Sequence, residues 1–498
     1  YLFDAAVHLV GGCEPTASGH GGLIDVLLRT LGVRDQCSFE RVDPFYTAMF
    51  PGTTLAAPLG AEAFAESLAA PFPHQAGQIR ALIGLCVQAA REMRAFPAAA
   101  GQSAPGGPGQ RFPTLLRYHG ATLGEVMDQS LTDQRVKAAF AALWPYVGLP
   151  PSRLSFLHWA AMLVSYIEEG AYYCRGSFQT MVNAVVDGLR AHGGELLLRA
   201  GVRRILIQSG RVQGVMLEHG ARVQAPVVIS NADALQTFAE LVGLENLPSG
   251  YAAALGALRP SLSGFILYLA TGLDLRQTAA AHELFRYKSW DHDRVYAGMA
   301  DGTPAGLIIS APTLSDPSLA PAGEHLLTVT AMLPYGWASS WRREKARYAE
   351  LVLDEVESVL PGLRDSLTFV EGASPRTLER YTLNQAGAMY GWDPSPSQAG
   401  AARLAQSGPI RGLYLAGHWT RPGGGVYGVV ASGLQAAELV LGCPTEADFW
   451  RALGASGPAA VEAHSPAAIR ARVPAGRPAA VGVAAAAAAE RFLEGFGA

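Results

Sequence analysis

Residues 412–442 read GLYLAGHWTRPGGGVYGVVASGLQAAELVLG, and the order of residue types in this stretch decides the fold. Gly412 to Ala416 has the composition of a short buried strand, and Gly417 to Gly425 is a glycine-rich loop. Val426 to Leu441 has helical spacing with Val426, Val430, Ala437 and Val440 inward. Gly423, Gly425 and Gly428 fit GxGxxG. With 56 glycines in 498 residues that match alone is weak, and a loop that merely packs tightly has the same spelling. Its position after a strand and before a helix gives it weight. Backbone N–H groups at a helix N-terminus carry roughly half a positive charge and, where side chains are missing, can approach an anion or an electron-rich ring. No acidic residue follows about 20 positions later in a βαβ setting, so the loop is not read as an independent NAD site.

Upstream, residues 176–233 form a second readable unit. Val182, Val185, Val186 and Leu189 lie at i, i+3, i+4 and i+7, one stripe of a helix that stops at Gly193-Gly194. Glu195 to Leu198 reads as a short strand. Val202 to Ile207 and Val212 to Leu217 flank Ser209-Gly210, a hairpin signal, and Glu218-His219-Gly220 turns the chain again. Pro226 to Ser230 is an apolar run of the kind buried on both faces of a sheet. The order predicts an α/β domain overlaid by a β-meander.

Elsewhere, residues 261–335 alternate apolar runs with Gly/Pro/Asp turns and predict a separate sheet, while 61–173 read as mostly helical. Residues 95–113 are Pro/Gly/Ala-rich and read as a mobile loop, and the Ala/Pro-rich tail from about 443 is a poor core element. The run Trp341 to Arg347 reads as a solvated helix face.

Hydrophobic residues make up 49% of the chain and charged residues 16%, with a net charge of −4. Such a chain buries a large core, and it has no positive field that would make nucleic acid a main partner. Lys137, Lys288 and Lys345 are the lysines, and none follows a glycine, which excludes a Walker A loop. Cys13, Cys37, Cys86, Cys174 and Cys443 are odd in number and without a CxxC pair, so they read as reduced thiols with no zinc site. No HExxH, GxSxG or EF-hand pattern occurs. The first residues lack a signal-peptide pattern. The longest apolar run, Leu154 to Ile167, is shorter than the 18 or more residues of a membrane span. The expectation is a cytoplasmic protein, with peripheral membrane contact allowed.

Four segments, in order, resemble the phytoene desaturase and carotenoid isomerase family of the amine-oxidase-like flavoprotein superfamily. They are Phe3-Asp4, residues 177–234, the stretch Pro375 to Tyr381 with Gly387 to Gly391, and 412–442 with Gly417, Pro422, Gly423, Gly425, Ser432 and Gly433. The resemblance implies FAD as cofactor. It also implies an α/β fold in which a discontinuous, Rossmann-like FAD domain (1–60, 174–240, 405–442) carries a helical substrate or membrane-contact region (61–173) and a mixed-sheet substrate domain (241–404), with 443–498 as a low-complexity tail. The implied reaction is desaturation or cis-trans isomerisation of an apolar, carotenoid-like polyene.

By the same resemblance Val202 meets adenine, and Gly417, His418, Gly424, Gly425 and Val426 hold the flavin, with Gly424 to Gly428 stabilising its negative charge. Tyr390, Trp392 and Trp419 line an apolar tunnel or are ordinary core aromatics. His8 and His20 are candidate acids or bases or structural histidines, and no catalytic residue or metal ligand is assigned. His418 stands where many relatives carry an acidic residue, and Ala6 where many carry glycine. The opening glycine turn of the family would precede Tyr1. Two alternatives stay open: a flavin amine oxidase, which commonly places an aromatic residue where this chain has Gly425, and a GDP-dissociation-inhibitor-like binder of lipidated partners.

Overall fold

The computed structural model describes residues 1–5, 7–15, 21–99, 108–455 and 457. In chain order its strands are β1 (Phe39–Arg41), β2 (Tyr46–Phe50), β3 (Thr53–Ala57), β4 (Tyr172–Cys174), β5 (Val202–Gln208), β6 (Arg211–Leu217), β7 (Arg222–Gln224), β8 (Val228–Ser230), β9 (Ser263–Thr271), β10 (Glu283–Tyr287), β11 (Gly306–Ser310), β12 (His325–Leu333), β13 (Leu367–Ala373) and β14 (Leu413–Leu415). Seven of them form one mixed sheet in the order β13-β9-β12-β11-β10-β2-β3. The strands predicted within 261–335 supply its centre. The hairpin β2–β3, expected with the flavin domain, instead completes one edge, because β2 pairs in parallel with β10, Thr47 opposite Leu284.

Alternation along these strands divides the core into two layers. Phe265, Leu267 and Leu269 of β9 and Leu327, Val329 and Ala331 of β12 meet Trp341, Tyr348, Val352 and Val356 of the helix Trp341–Val359. Phe265 stacks on Trp341 at 5.6 Å and meets Tyr348 edge-on at 5.0 Å. Arg342, Arg343 and Arg347 on that helix are solvated as expected, while Trp341 is its buried anchor. Residues of the other parity, among them Ala270, Phe285, Tyr287, Ile308 and Met332, face the helical region.

From Ala61 to Glu169 every described regular element is helical. The apolar run near residue 160 is the helix Phe156–Glu169, which buries Phe156, Trp159, Ala160, Leu163, Val164 and Ile167. Its composition is that of a core helix. The segment expected to be a loop from residue 95 continues as helix to Ala99 and resumes at Pro108–Arg111, and 100–107 lie outside the described residues.

In the smaller α/β part β14 pairs in parallel with β8, Leu413 opposite Val228 and Leu415 opposite Ser230, and β5, β6 and β7 form the meander. Ser209 and Gly210 both take positive φ at the hairpin turn, as a two-residue connection requires. Four expectations need correction here. The helix Phe178–Ala191 buries Phe178, Met181, Ala184 and Gly188 rather than the valine stripe, because Gly188 lets it approach Leu31 and Val33 closely, and Val182 and Leu189 are exposed. Glu195 to Leu198 forms no strand: no neighbouring backbone pairs with it among the described residues, and Leu198 is 78% exposed.

In β8 only Ser230 is buried and Ile229 points to solvent, since this two-stranded sheet is covered on one side. The helix Val426–Leu441 buries Ser432 and Ala436 fully; of the four residues expected inward, Val426, Val430 and Ala437 are half-buried against the core, and Val440 joins no core cluster among the described residues. The tail also begins with structure: Phe449 and Trp450 of the helix Glu446–Ala452 are buried against Val26, Leu434 and Ala437. His20 and Ala6 lie outside the described residues.

Two devices hold the glycine loop. Arg403, 2% exposed, directs Nε to the Thr420 carbonyl at 3.1 Å, Nη1 to Trp392 at 3.2 Å and Gln398 at 3.4 Å, and Nη2 to Tyr390 at 3.1 Å and His418 at 2.5 Å. A guanidinium has five N–H groups, and each has a carbonyl here. Ser432, fully buried on the C-terminal helix, accepts from the Gly417 N–H at 3.1 Å and pairs with Thr420 Oγ1 at 2.6 Å, tying the strand end to the helix.

Gly417 itself has φ 95°, and a Cβ there would stand 2.0 Å from Asn231 Oδ1. Gly417→Ala is therefore expected to lose about 1–3 kcal/mol from backbone strain alone. Arg403→Met, which orphans the carbonyls, is expected to lose at least about 3 kcal/mol. Arg403→Lys, with three donors for five acceptors, should fall between native and Met. Chemical denaturation of the purified variants measures all three, and a native midpoint for Arg403→Met would show the clamp to be dispensable.

Candidate functional site

The glycine loop ends in an open helix N-terminus. Gly423 and Gly425 take φ 132° and 81°, conformations that L side chains resist, and Gly425 is the N-cap of Val426–Leu441 with no side chain capping it. The first-turn N–H groups therefore remain available. A Cβ at Gly425 would meet nothing within 4 Å, whereas one at Gly424 would stand 3.4 Å from the Tyr390 carbonyl oxygen. On one side of the loop a Cβ on Gly423 would stand 3.2 Å from His158 Cε1 and 3.6 Å from Arg403. On another, a Cβ on Gly12 would stand 3.2 Å from the Tyr427 ring. The loop, the N-terminal segment and the helical region thus converge.

Charge around the loop is arranged to stay fixed. Burial, reinforced by the neighbouring Arg403 cation, pushes His158 and His418 down to about 4, so both rings are neutral at neutral pH. His418 therefore brings no negative charge to the position where the family resemblance leads one to expect an acid. Burial also lowers Arg403, to about 10, which leaves it a cation.

Of the three aromatic residues expected at a tunnel, Tyr390 reaches the loop: its backbone flanks Gly424, its ring lies over Gly148, and its hydroxyl donates to the Pro145 carbonyl at 2.8 Å. Trp392 and Trp419, each 1% exposed, pack edge-on at 4.7 Å in a core with Ile410, Leu413 and Leu415, and Trp419 Nε1 donates to Asn384. They hold the strand end from beneath. Gly417, His418, Gly424, Gly425 and Val426 are brought together at this end, while Val202 sits apart on the meander, 37% exposed.

These features fit the ring end of a flavin. An uncapped N-terminus of a 16-residue helix presents N–H donors and positive potential, and open space faces Gly425. Among the described residues no group of three or more His, Cys, Asp or Glu side chains is placed to hold a metal ion.

Sequence reasoning missed Arg403, whose partners are backbone carbonyls and leave no trace in side-chain pattern. It also missed Glu283 and Ser310, which face each other across β10 and β11. A lone acidic residue opening the apolar run ELFRY was the available signal.

Residues 24–441 match the family model described as flavin containing amine oxidoreductase. A phytoene desaturase (lycopene-forming) from Pseudescherichia vulneris is 29% identical over 340 residues, covering 66% of this chain and 68% of that protein. Prolycopene isomerase 2, chloroplastic, from an Oncidium hybrid cultivar is also 29% identical, over 289 residues, covering 54% of this chain and 46% of that protein, so the chain spans less than half the isomerase. An oxidoreductase from Methanosarcina mazei of known structure shares the fold with a TM-score of 0.57 at 16% identity, covering 87% of each chain. The match over most of its length and the glycine-loop geometry together establish that the chain belongs to the flavin containing amine oxidoreductase family, whose cofactor is FAD.

Proposed function

We propose that the chain desaturates or cis-trans isomerises an apolar, carotenoid-like polyene. The observation that carries the reading is Gly425: it leaves the approach to the helix N-terminus free of any side chain, as a thin, extended hydrocarbon requires. The similarity to a desaturase and an isomerase of carotenes supports the same substrate class. An amine oxidase would gain from an aromatic wall at that position, and nothing at Gly425 favours it.

Flavin, when bound, supplies a two-electron acceptor for hydride. In this reading Gly424, Gly425 and Val426 present backbone N–H groups to its ring, and the helix end stabilises the negative charge of the reduced form. Gly417 and His418 close the strand end against it, and Val202 lies toward the adenine. Tyr390, between the glycine loop and Gly148, would line the boundary with the helical region, on whose side the polyene would bind against the flavin. A polyene is drawn from a membrane, and the low charge of the chain suits peripheral contact. Among the described residues no single helix is long and apolar enough to cross a bilayer.

Expressed with whatever precedes it in its reading frame, the protein is expected to carry a flavin absorption band and to convert phytoene or poly-cis lycopene to a product of altered conjugation, followed by chromatography. Gly425→Trp, which fills the open approach, should lose at least about tenfold in turnover per bound flavin relative to Gly425→Ala, which carries the same backbone strain without the bulk, a cost of about 1.4 kcal/mol. Oxidation of an amine with no change in either polyene would overturn the reading.

A further inference from the structure

A row of polar side chains crosses the face of the large sheet that meets the helical region. Glu283 on β10 is the direct cross-strand partner of Ser310 on β11, which partners Thr328 on β12, which partners Tyr268 on β9. Glu283 is 0% exposed, and such a carboxylate persists only where donors meet it. Ser310 Oγ donates to its Oε2 at 2.5 Å, and His8 Nδ1 lies 3.2 Å from the same oxygen and against Ser310 Oγ. The N-terminal segment lies along the row: Tyr268 donates to the Ala5 carbonyl at 3.1 Å, and Phe3 meets the Tyr268 ring at 5.4 Å. The Glu283 carboxylate also meets the buried Tyr146 hydroxyl, and Tyr146 follows Pro145, whose carbonyl takes the hydroxyl of Tyr390, the residue that flanks the glycine loop.

We infer that His8 is the base that takes the proton in the reaction proposed above, with Glu283 and Ser310 as its positioning residues. Glu283 accepting from Nδ1–H fixes the tautomer whose Nε2 carries a lone pair, and no partner is placed on Nε2 among the described residues. The arrangement is not that of a serine hydrolase. Ser310 and Glu283 both sit at Nδ1, whereas a nucleophilic serine needs the opposite ring nitrogen from the carboxylate.

Desaturation removes a hydride from one carbon and a proton from its neighbour. Flavin, when bound, would supply the acceptor for the hydride equivalent, with an external oxidant of the quinone or dioxygen class to take its electrons. The neighbouring C–H bond breaks, its electron pair becomes the new π bond, and its proton goes to His8 Nε2. Burial opposes a charged ring at His8, but Glu283 and then Asp4 outweigh it, so His8 holds a proton above its ordinary 6.5. The other titratable groups nearby are His282, whose Nε2 lies 3.3 Å from the His8 carbonyl, Tyr146, whose ring is 5.9 Å away, and Tyr173, which lines one small cavity with His8, Asp4 and His282 and donates to Asp4 at 2.6 Å.

The inference rests on the polyene reading, and two measurements on the flavin-loaded full chain separate them. The first is the rate of flavin bleaching by polyene against pH, and the second is the NMR titration of the His8 ring, assigned by its loss in His8→Gln. The rate should rise as pH passes the elevated His8 pKa. His8→Gln should lower it about 100-fold with the bound-flavin band retained. Glu283→Gln should move both the rate midpoint and the His8 titration to lower pH, and Ser310→Ala should move them less. A His8→Gln rate equal to native overturns the inference, as does a His8 titration unmoved by Glu283→Gln. If native protein bleaches with an amine and not with a polyene, the polyene reading and His8's substrate fall together, while the shifted titration would still identify the Glu283–His8 pair.

Discussion

The loop that carries the site depends on one buried cation. Carbonyls of Tyr390, Trp392 and Gln398 come from one segment and those of His418 and Thr420 from another, and the isolated bridges these segments make, Trp392 with Pro260 and Thr420 with Leu404, bring no backbone N–H to these five carbonyls among the described residues. A planar guanidinium is the one side chain with enough donors, fixed in one plane, to serve both segments. Its charge has a second effect. After burial, it is the Arg403 cation that keeps His158 and His418 uncharged, so the groups around the helix N-terminus stay unchanged across the physiological pH range. An open helix end flanked by neutral rings is a site whose positive potential comes from the backbone and from the Arg403 cation beside it.

The polar row on the sheet is the second departure from an apolar core, and it faces the same region. Interiors tolerate buried polar groups where they are mutually satisfied, and departures from that rule concentrate at functional places. Here Glu283 has Ser310, His8 and the Tyr146 hydroxyl around it. Arg403 meets backbone carbonyls and holds structure, whereas the Glu283 cluster contains a histidine, a side chain able to take up and release a proton.

The sequence made legible what repeats locally. The hairpin at Ser209-Gly210, the parallel strand Leu413–Leu415, the helical stretch after residue 61 and the central strands of the sheet all follow from periodicity and turn chemistry. Which face of a helix is buried was less legible. In Phe178–Ala191 a glycine decides it, because Gly188 permits an approach to Leu31 and Val33 that no hydrophobic count rewards. Glu195 to Leu198 has strand composition, but a strand exists only by pairing, and composition does not name the partner. Arg403 was invisible for a related reason: every residue has a carbonyl, so its acceptors have no spelling. Tyr390 and Trp392, two residues apart in one aromatic-rich stretch, could not be told apart without coordinates, though one flanks the loop and the other lies in the core.

Register converts that long-range information into chemistry. Side chains alternate across a strand, so a slip of one residue in β10 would turn Glu283 toward Trp341 and Tyr348 and bring Leu284 beneath the N-terminal segment. A carboxylate among those rings would have no donor arranged to meet it, and His8 would lose its counter-charge. The pairing of Glu283 with Ser310 is thus held by the apolar layers on both sides of the sheet. The same layers that exclude water from the row strengthen the interaction between Glu283 and His8, since a charge pair in a dry interior is less screened than one in water. Apolar packing on one face of the sheet therefore determines how firmly a proton is held on the other.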